Sequence, residues 1–147
     1  MVRLCLSRVY TCALFVTLVL TATVAFGKDG RNFGGYFNIT DMTQEGDRVQ
    51  VTLSLQIFNY SGEDLRQAVV TLRESHPSLR VIDTFDAIPV WRSGKSVTLS
   101  RQVTITRHEY LRWSTKGQPN VFVAYRDGDG RQLEWTAQLT SRPTPPL

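Results

Sequence analysis

The sequence predicts an all-β domain, a sandwich of two sheets built from about seven short antiparallel strands. Three observations carry this. Arg48 to Asn59, RVQVTLSLQIFN, places Val49, Val51, Leu53, Leu55 and Ile57 on one phase of an alternating run, the pattern of a strand with one wet face. Burying five such side chains corresponds to a gross gain of about 7 to 15 kcal/mol before ordering entropy is subtracted. Further alternating or short apolar runs follow, separated by Gly, Pro, Asn and Asp. After residue 27 no stretch carries helical periodicity beyond a single turn.

The first 27 residues stand apart. Arg3 and Arg8 precede an apolar run from Val9 to Phe26, and Ala25 and Gly27 supply the small side chains that signal cleavage requires. Residues 1–27 are therefore read as a secretory signal peptide helix, with Lys28 opening the mature chain. The alternative is an uncleaved membrane anchor through 9–26, although that run is slightly short of the roughly 20 residues a bilayer asks. The expected localisation is exported, periplasmic or extracellular. Cys5 and Cys12 both fall in this segment, so the mature chain has no cysteine and its core must hold it together without disulfides.

Without Arg3 and Arg8 the 17 Lys and Arg fall to 15, against 13 Asp and Glu, which leaves the mature chain near +2. Both signs are interspersed. That describes a mixed solvated surface and argues against nucleic acid as a partner.

Taken in order, Lys28 to Gly35 is a glycine-rich flexible lead-in, and Tyr36 to Met42 is a first strand with Phe37 and Ile39 on one side. Thr43 to Asp47 turns into the strand at 48–59. Tyr60 to Asp64 reverses the chain, and Leu65 to Glu74, with Ala68, Val70 and Leu72 inward, completes a hairpin with 48–59. Pro77 stops it. Leu79 to Trp91 is a short edge strand and a crossover between sheets, where Pro89 suits an edge. Ser96 to Arg107 is a long strand in which Arg101 falls on the inward phase, at the sheet rim or beside a bulge. Arg107 to Thr115 suits one helical turn at a corner, and Val121 to Tyr125 is a central strand. Asp127-Gly128-Asp129-Gly130 is a hairpin turn into Arg131 to Thr140, with Leu133, Trp135, Ala137 and Leu139 inward. The sandwich is thus expected over 36–140, with a proline-rich tail at 141–147.

This order of elements resembles the immunoglobulin-like and fibronectin type III-like sandwiches of exported proteins. The carriers are the V-x-V-x-L-x-L run at 49–55, the Asn59-Tyr60-Ser61-Gly62 turn, the Ser93-Gly94-Lys95-Ser96 lead into a long strand, and the final Asp-Gly hairpin. The resemblance implies fold and nothing about immune recognition, since the cysteine pair of antibody domains is missing.

The inventory for catalysis is thin. There is no cysteine nucleophile after the signal, no G-x-S-x-G and no glycine-rich phosphate loop, so no catalytic residue, cofactor or metal site is assigned. His76 and His108 are read as exposed or structural. Asp127 and Asp129 fail as a calcium loop because Arg131 occupies the next ligand position. Asn38-Ile39-Thr40 and Asn59-Tyr60-Ser61 fit the glycosylation acceptor pattern. Candidate binding residues are Phe58 and Tyr60, on the outward phase, and Trp91 and Trp113 near sheet ends, with Arg92 and Arg112 beside the tryptophans. The first reading of the same aromatics is as covers for the open ends of the sandwich. The expected function is an exported, non-catalytic binding or scaffold domain for another envelope or extracellular protein. The alternative is carbohydrate or polyanion binding through aromatics and arginines, with a small hydrolase less favoured.

Overall fold

The computed structural model describes residues 32–142, so the expected signal peptide at 1–27, the start of the expected lead-in and the tail beyond Arg142 lie outside the described residues. Nine strands and one helix follow: β1 (Phe33–Glu45), β2 (Arg48–Asn59), β3 (Leu65–Arg73), β4 (Val81–Thr84), β5 (Ile88–Trp91), β6 (Ser96–Thr106), α1 (Arg107–Ser114), β7 (Asn120–Arg126), β8 (Gln132–Thr136) and β9 (Gln138–Ser141). They form two sheets, one in the order β6-β2-β1-β9, the other β4-β3-β7-β8 with β5 also paired to β3. The all-β, two-sheet expectation therefore stands at this level, while the count is nine rather than about seven.

Alternation in β2 sends Val49, Val51, Leu53, Leu55 and Ile57 inward, each without exposed surface. They face Leu65, Ala68, Val70 and Leu72 of β3 and Val121, Val123 and Tyr125 of β7 in one core. β6 pairs with β2 in unbroken register from Arg48↔Thr106 to Phe58↔Ser96, so Arg101 sits at the rim and beside no bulge. Its guanidinium reaches Asp83 at 3.3 Å and lies over the Phe85 ring at 5.2 Å. An inward arginine on an edge strand joins the two sheets there and blunts the edge against pairing with another chain.

Five expectations are corrected. β1 starts at Phe33, three residues inside the supposed lead-in, because Gly34 and Gly35 allow a close approach between strands. A Cβ at Gly35 would run into the Gln56 carbonyl oxygen, and one at Gly34 would lie 3.3 Å from the Gln138 oxygen. β2 and β3 are no hairpin: they belong to different sheets, and 60–64 is a crossover. Residues 131–140 are no single strand either, since the chain leaves β8 at Ala137, whose N–H donates to Val121 O at 2.8 Å, and joins the other sheet as β9. β9 then runs parallel to β1 from Gly34↔Gln138 to Phe37↔Ser141, so the sandwich is not wholly antiparallel. Lastly, Trp135 keeps the inward phase opposite Val123 but lies on the edge strand, 40% exposed.

The corner after β6 is an eight-residue helix, longer than one turn. Thr106 caps it by accepting from Glu109 N–H at 3.2 Å, and Thr106-x-x-Glu109 has the spacing of a capping box.

Candidate functional site

The six residues singled out from the sequence separate cleanly. Trp91 and Trp113 are each only 1% exposed. Trp91 packs on Phe33 at 5.4 Å and donates its indole N–H to Lys95 O at 3.0 Å, while Trp113 seats α1 in the core. Neither presents a face to a ligand, because the sheet ends they were expected to flank are closed over them. Arg112 is spent on Glu109, at 2.8 Å, so it forms no cation-π pair with Trp113. Arg92 is exposed in the β5–β6 turn, away from any exposed tryptophan face. Phe58 and Tyr60 remain.

These two rings are joined by a third that the sequence reading had placed outward without singling it out. In the β1–β2 register Gly34 opposes Phe58 and Tyr36 opposes Gln56, so Tyr36 is the diagonal neighbour of Phe58 on the outer face. Phe58 and Tyr60 stack at 5.7 Å with 7° between planes, and Tyr36 meets Phe58 edge-on at 6.5 Å. Tyr36 is 42% and Tyr60 57% exposed. Arg142, placed in the tail by sequence, instead follows β9, donates its backbone N–H to Phe37 O at 2.8 Å, and lays its guanidinium over Tyr36 at 5.3 Å. No local signal could have found this cluster. It depends on pairing β1 with both β2 and β9, the second a contact between the two ends of the domain.

Asn59 fixes the turn that carries Tyr60. It is fully buried; its Nδ2 donates to Glu63 O at 2.8 Å and Trp91 O at 3.1 Å, and its Oδ1 accepts from the N–H and hydroxyl of Ser61. The Tyr60 N–H is pinned to Asn32 O at 2.8 Å. One consequence concerns modification. Both amide hydrogens of Asn59 are engaged and the side chain is sealed, so the Asn59 acceptor triplet is closed in the folded domain.

Two shallow depressions meet at Tyr36. One is floored by Gly34 and Gly35 and edged by Phe58, Tyr60, Gln138 and Thr140; the other by Asn38, Ser54, Gln56, Thr98 and Arg142. Hydroxyls and amides stand on both rims, and among the described residues no carboxylate lines either and Arg142 is the one charged residue between them. Such a surface can stack on a ring and hydrogen-bond around its edge.

Elsewhere two carboxylates, Glu109 and Asp127, are committed to structure. Burial pushes the Glu109 carboxyl up, but the N–H and hydroxyl of Ser75 and the Arg112 guanidinium outweigh this and hold it below the usual carboxylate range. Asp127 is likewise held low, first by the Arg131 N–H at 2.8 Å and further by the Arg131 side chain, which fills the position a cation would need. His76 and His108 are exposed, and no group of three metal-ligating side chains occurs among the described residues.

No family model matches the chain, and no curated protein matches it. Among solved structures it is similar to a GH20 exo beta-N-acetylglucosaminidase from Vibrio harveyi, in an inactive mutant and in complex with N-acetylglucosamine, each with TM-score 0.45 and 14% identity. The match covers 79% of this chain and only 19% of the enzyme. It is also similar to the N-terminal domain of PorA, with TM-score 0.32, 14% identity, 76% of this chain and 87% of that one.

Proposed function

We propose that this chain is an exported, non-catalytic glycan-binding domain with an immunoglobulin-like or fibronectin type III-like sandwich as its scaffold, and that Tyr36, Phe58 and Tyr60 form its sugar-stacking face. The observation that carries the reading is the contiguous aromatic cluster on an otherwise hydroxyl- and amide-rich sheet. Sugars offer apolar C–H faces ringed by hydroxyls, and this surface is the complement of that arrangement. A protein partner, first choice from the sequence, fits less well. The other large exposed apolar side chains, among them Met42, Val81, Val90, Leu111 and Trp135, are dispersed over five elements rather than gathered into the packed centre of an interface. The non-catalytic part of the reading is supported by carboxylates held charged and hydrogen-bonded, a poor state for a general acid near neutral pH. Export rests on residues 1–27, and the mass of protein taken from the exported fraction should correspond to a chain starting at Lys28.

Retention on an array of neutral and acidic oligosaccharides tests the function. Tyr60→Ala should weaken retention about tenfold, equivalent to about 1.4 kcal/mol, with an unchanged thermal midpoint because Tyr60 is more than half exposed. Failure of the array together with capture of one stoichiometric protein by wild type, lost in Tyr60→Ala, would replace the glycan with a protein partner.

A further inference from the structure

We propose that the preferred ligand of this face is an acidic glycan spanning both depressions, with a sugar ring stacked at Tyr60 and Phe58 and a carboxylate or sulfate of a neighbouring unit held by Arg142. This rests on the glycan reading above and adds the charge and the second subsite.

Five of the arginines of the described domain are spent on ion pairs. Arg73, Arg80, Arg101, Arg112 and Arg131 each reach a carboxylate within 4.0 Å, the shortest contacts being 2.7 to 2.8 Å. Among the described residues, Arg48, Arg66, Arg92, Arg107 and Arg126 also reach none but line neither depression, whereas Arg142 reaches none and lines one. Instead it rests over Tyr36, a placement that supports the plane of the guanidinium and leaves its N–H groups for another acceptor. Its backbone is fixed by the bond to Phe37 O, so the side chain starts from a defined point at the edge of the sheet.

The second step is the continuity of the site. Tyr36 lines both depressions, the one edged by Phe58 and Tyr60 and the one containing Arg142. A chain of sugars stacked in the first therefore meets Arg142 in the second. With no carboxylate on either rim among the described residues, an anionic ligand encounters attraction from Arg142 and no opposing acid in that lining. A planar guanidinium paired bidentately with a carboxylate or sulfate adds geometry to that attraction.

The test places each acidic chain beside its neutral counterpart: uronate oligomers with their methyl esters, and sulfated with desulfated oligosaccharides. Wild type is expected to retain the acidic member of at least one pair about tenfold more tightly at low salt, with the difference shrinking as ionic strength rises. Arg142→Gln should equalise the pair while keeping the neutral member's affinity; Arg80→Gln, altering an exposed arginine outside the site, should leave the preference intact; Tyr60→Ala should weaken both members. Equal retention of acidic and neutral members by wild type, or a preference that survives Arg142→Gln, would overturn the inference and leave the glycan reading standing. Silence across the whole array would end both.

Discussion

At the scale of single residues, burial and partners decide what each change costs. Leu53 is fully buried at the middle of β2, and Leu53→Ala should lower stability by about 2 to 5 kcal/mol. Trp135 loses more atoms on truncation yet lies at the rim, 40% exposed, so Trp135→Ala should cost less, about 1 to 2 kcal/mol. Denaturant melts of the two variants would reveal the order, and a reversed order would mean the rim is covered. Glu109 gives a pH signature. Its carboxyl is held below its ordinary value in the folded state, so the stability it contributes is fully present above the unfolded value of about 4.3 and is lost as pH falls through the folded one. Glu109→Gln should therefore cost about 1 to 3 kcal/mol at pH 7, and the gap from wild type should close below about pH 4. A gap independent of pH would show that the ion pair with Arg112 contributes nothing through charge.

At the scale of elements, the close seating of β1 between β2 and β9 is the feature most exposed to a one-atom test. Gly35→Ala drives a Cβ against the Gln56 backbone, which cannot swing away as a side chain would. The variant should lose at least about 2 kcal/mol in thermal or denaturant melts, whereas Gly128→Ala, with open space around it, should be near neutral. Elements with strong local periodicity were legible in the sequence: β2 because five aliphatics repeat at period two, β7 because a central strand is apolar on both faces, and the Asp127 to Gly130 turn because its glycines demand it. Pairing was less legible. The 60–64 turn has hairpin chemistry, yet the buried amide network of Asn59 uses it to carry the chain between sheets. Similarly, alternation from Leu133 to Leu139 continues unbroken while the chain changes sheets at Ala137. Alternation reports which side of a strand is wet, and it is silent on which neighbour that strand joins. The helix did carry a signal, the Thr106-x-x-Glu109 box, although its weak amphipathicity hid its length.

For the whole molecule, the candidate site exists only because distant parts of the chain converge. Tyr36 arrives from the first strand, Phe58 and Tyr60 from the second and its crossover, and Arg142 from the end of the last. Sequence reasoning found the middle pair from their outward phase, placed Tyr36 outward on the first strand without singling it out, and left Arg142 in the tail. It also nominated Trp91 and Trp113, since size and position near strand ends suit a ligand face and an end cap equally, and only packing separates the two. The sandwich thus keeps Trp91 and Trp113 inside and three smaller rings on the outer face of one sheet. The most direct measurement of the central claim is a backbone amide NMR titration of the domain with the oligosaccharide best retained on the array. Shift changes gathered at residues 34–38, 56–60 and 138–142 are the predicted result. Changes centred instead on the Trp135 edge or on α1, or none at saturating sugar, would contradict the account.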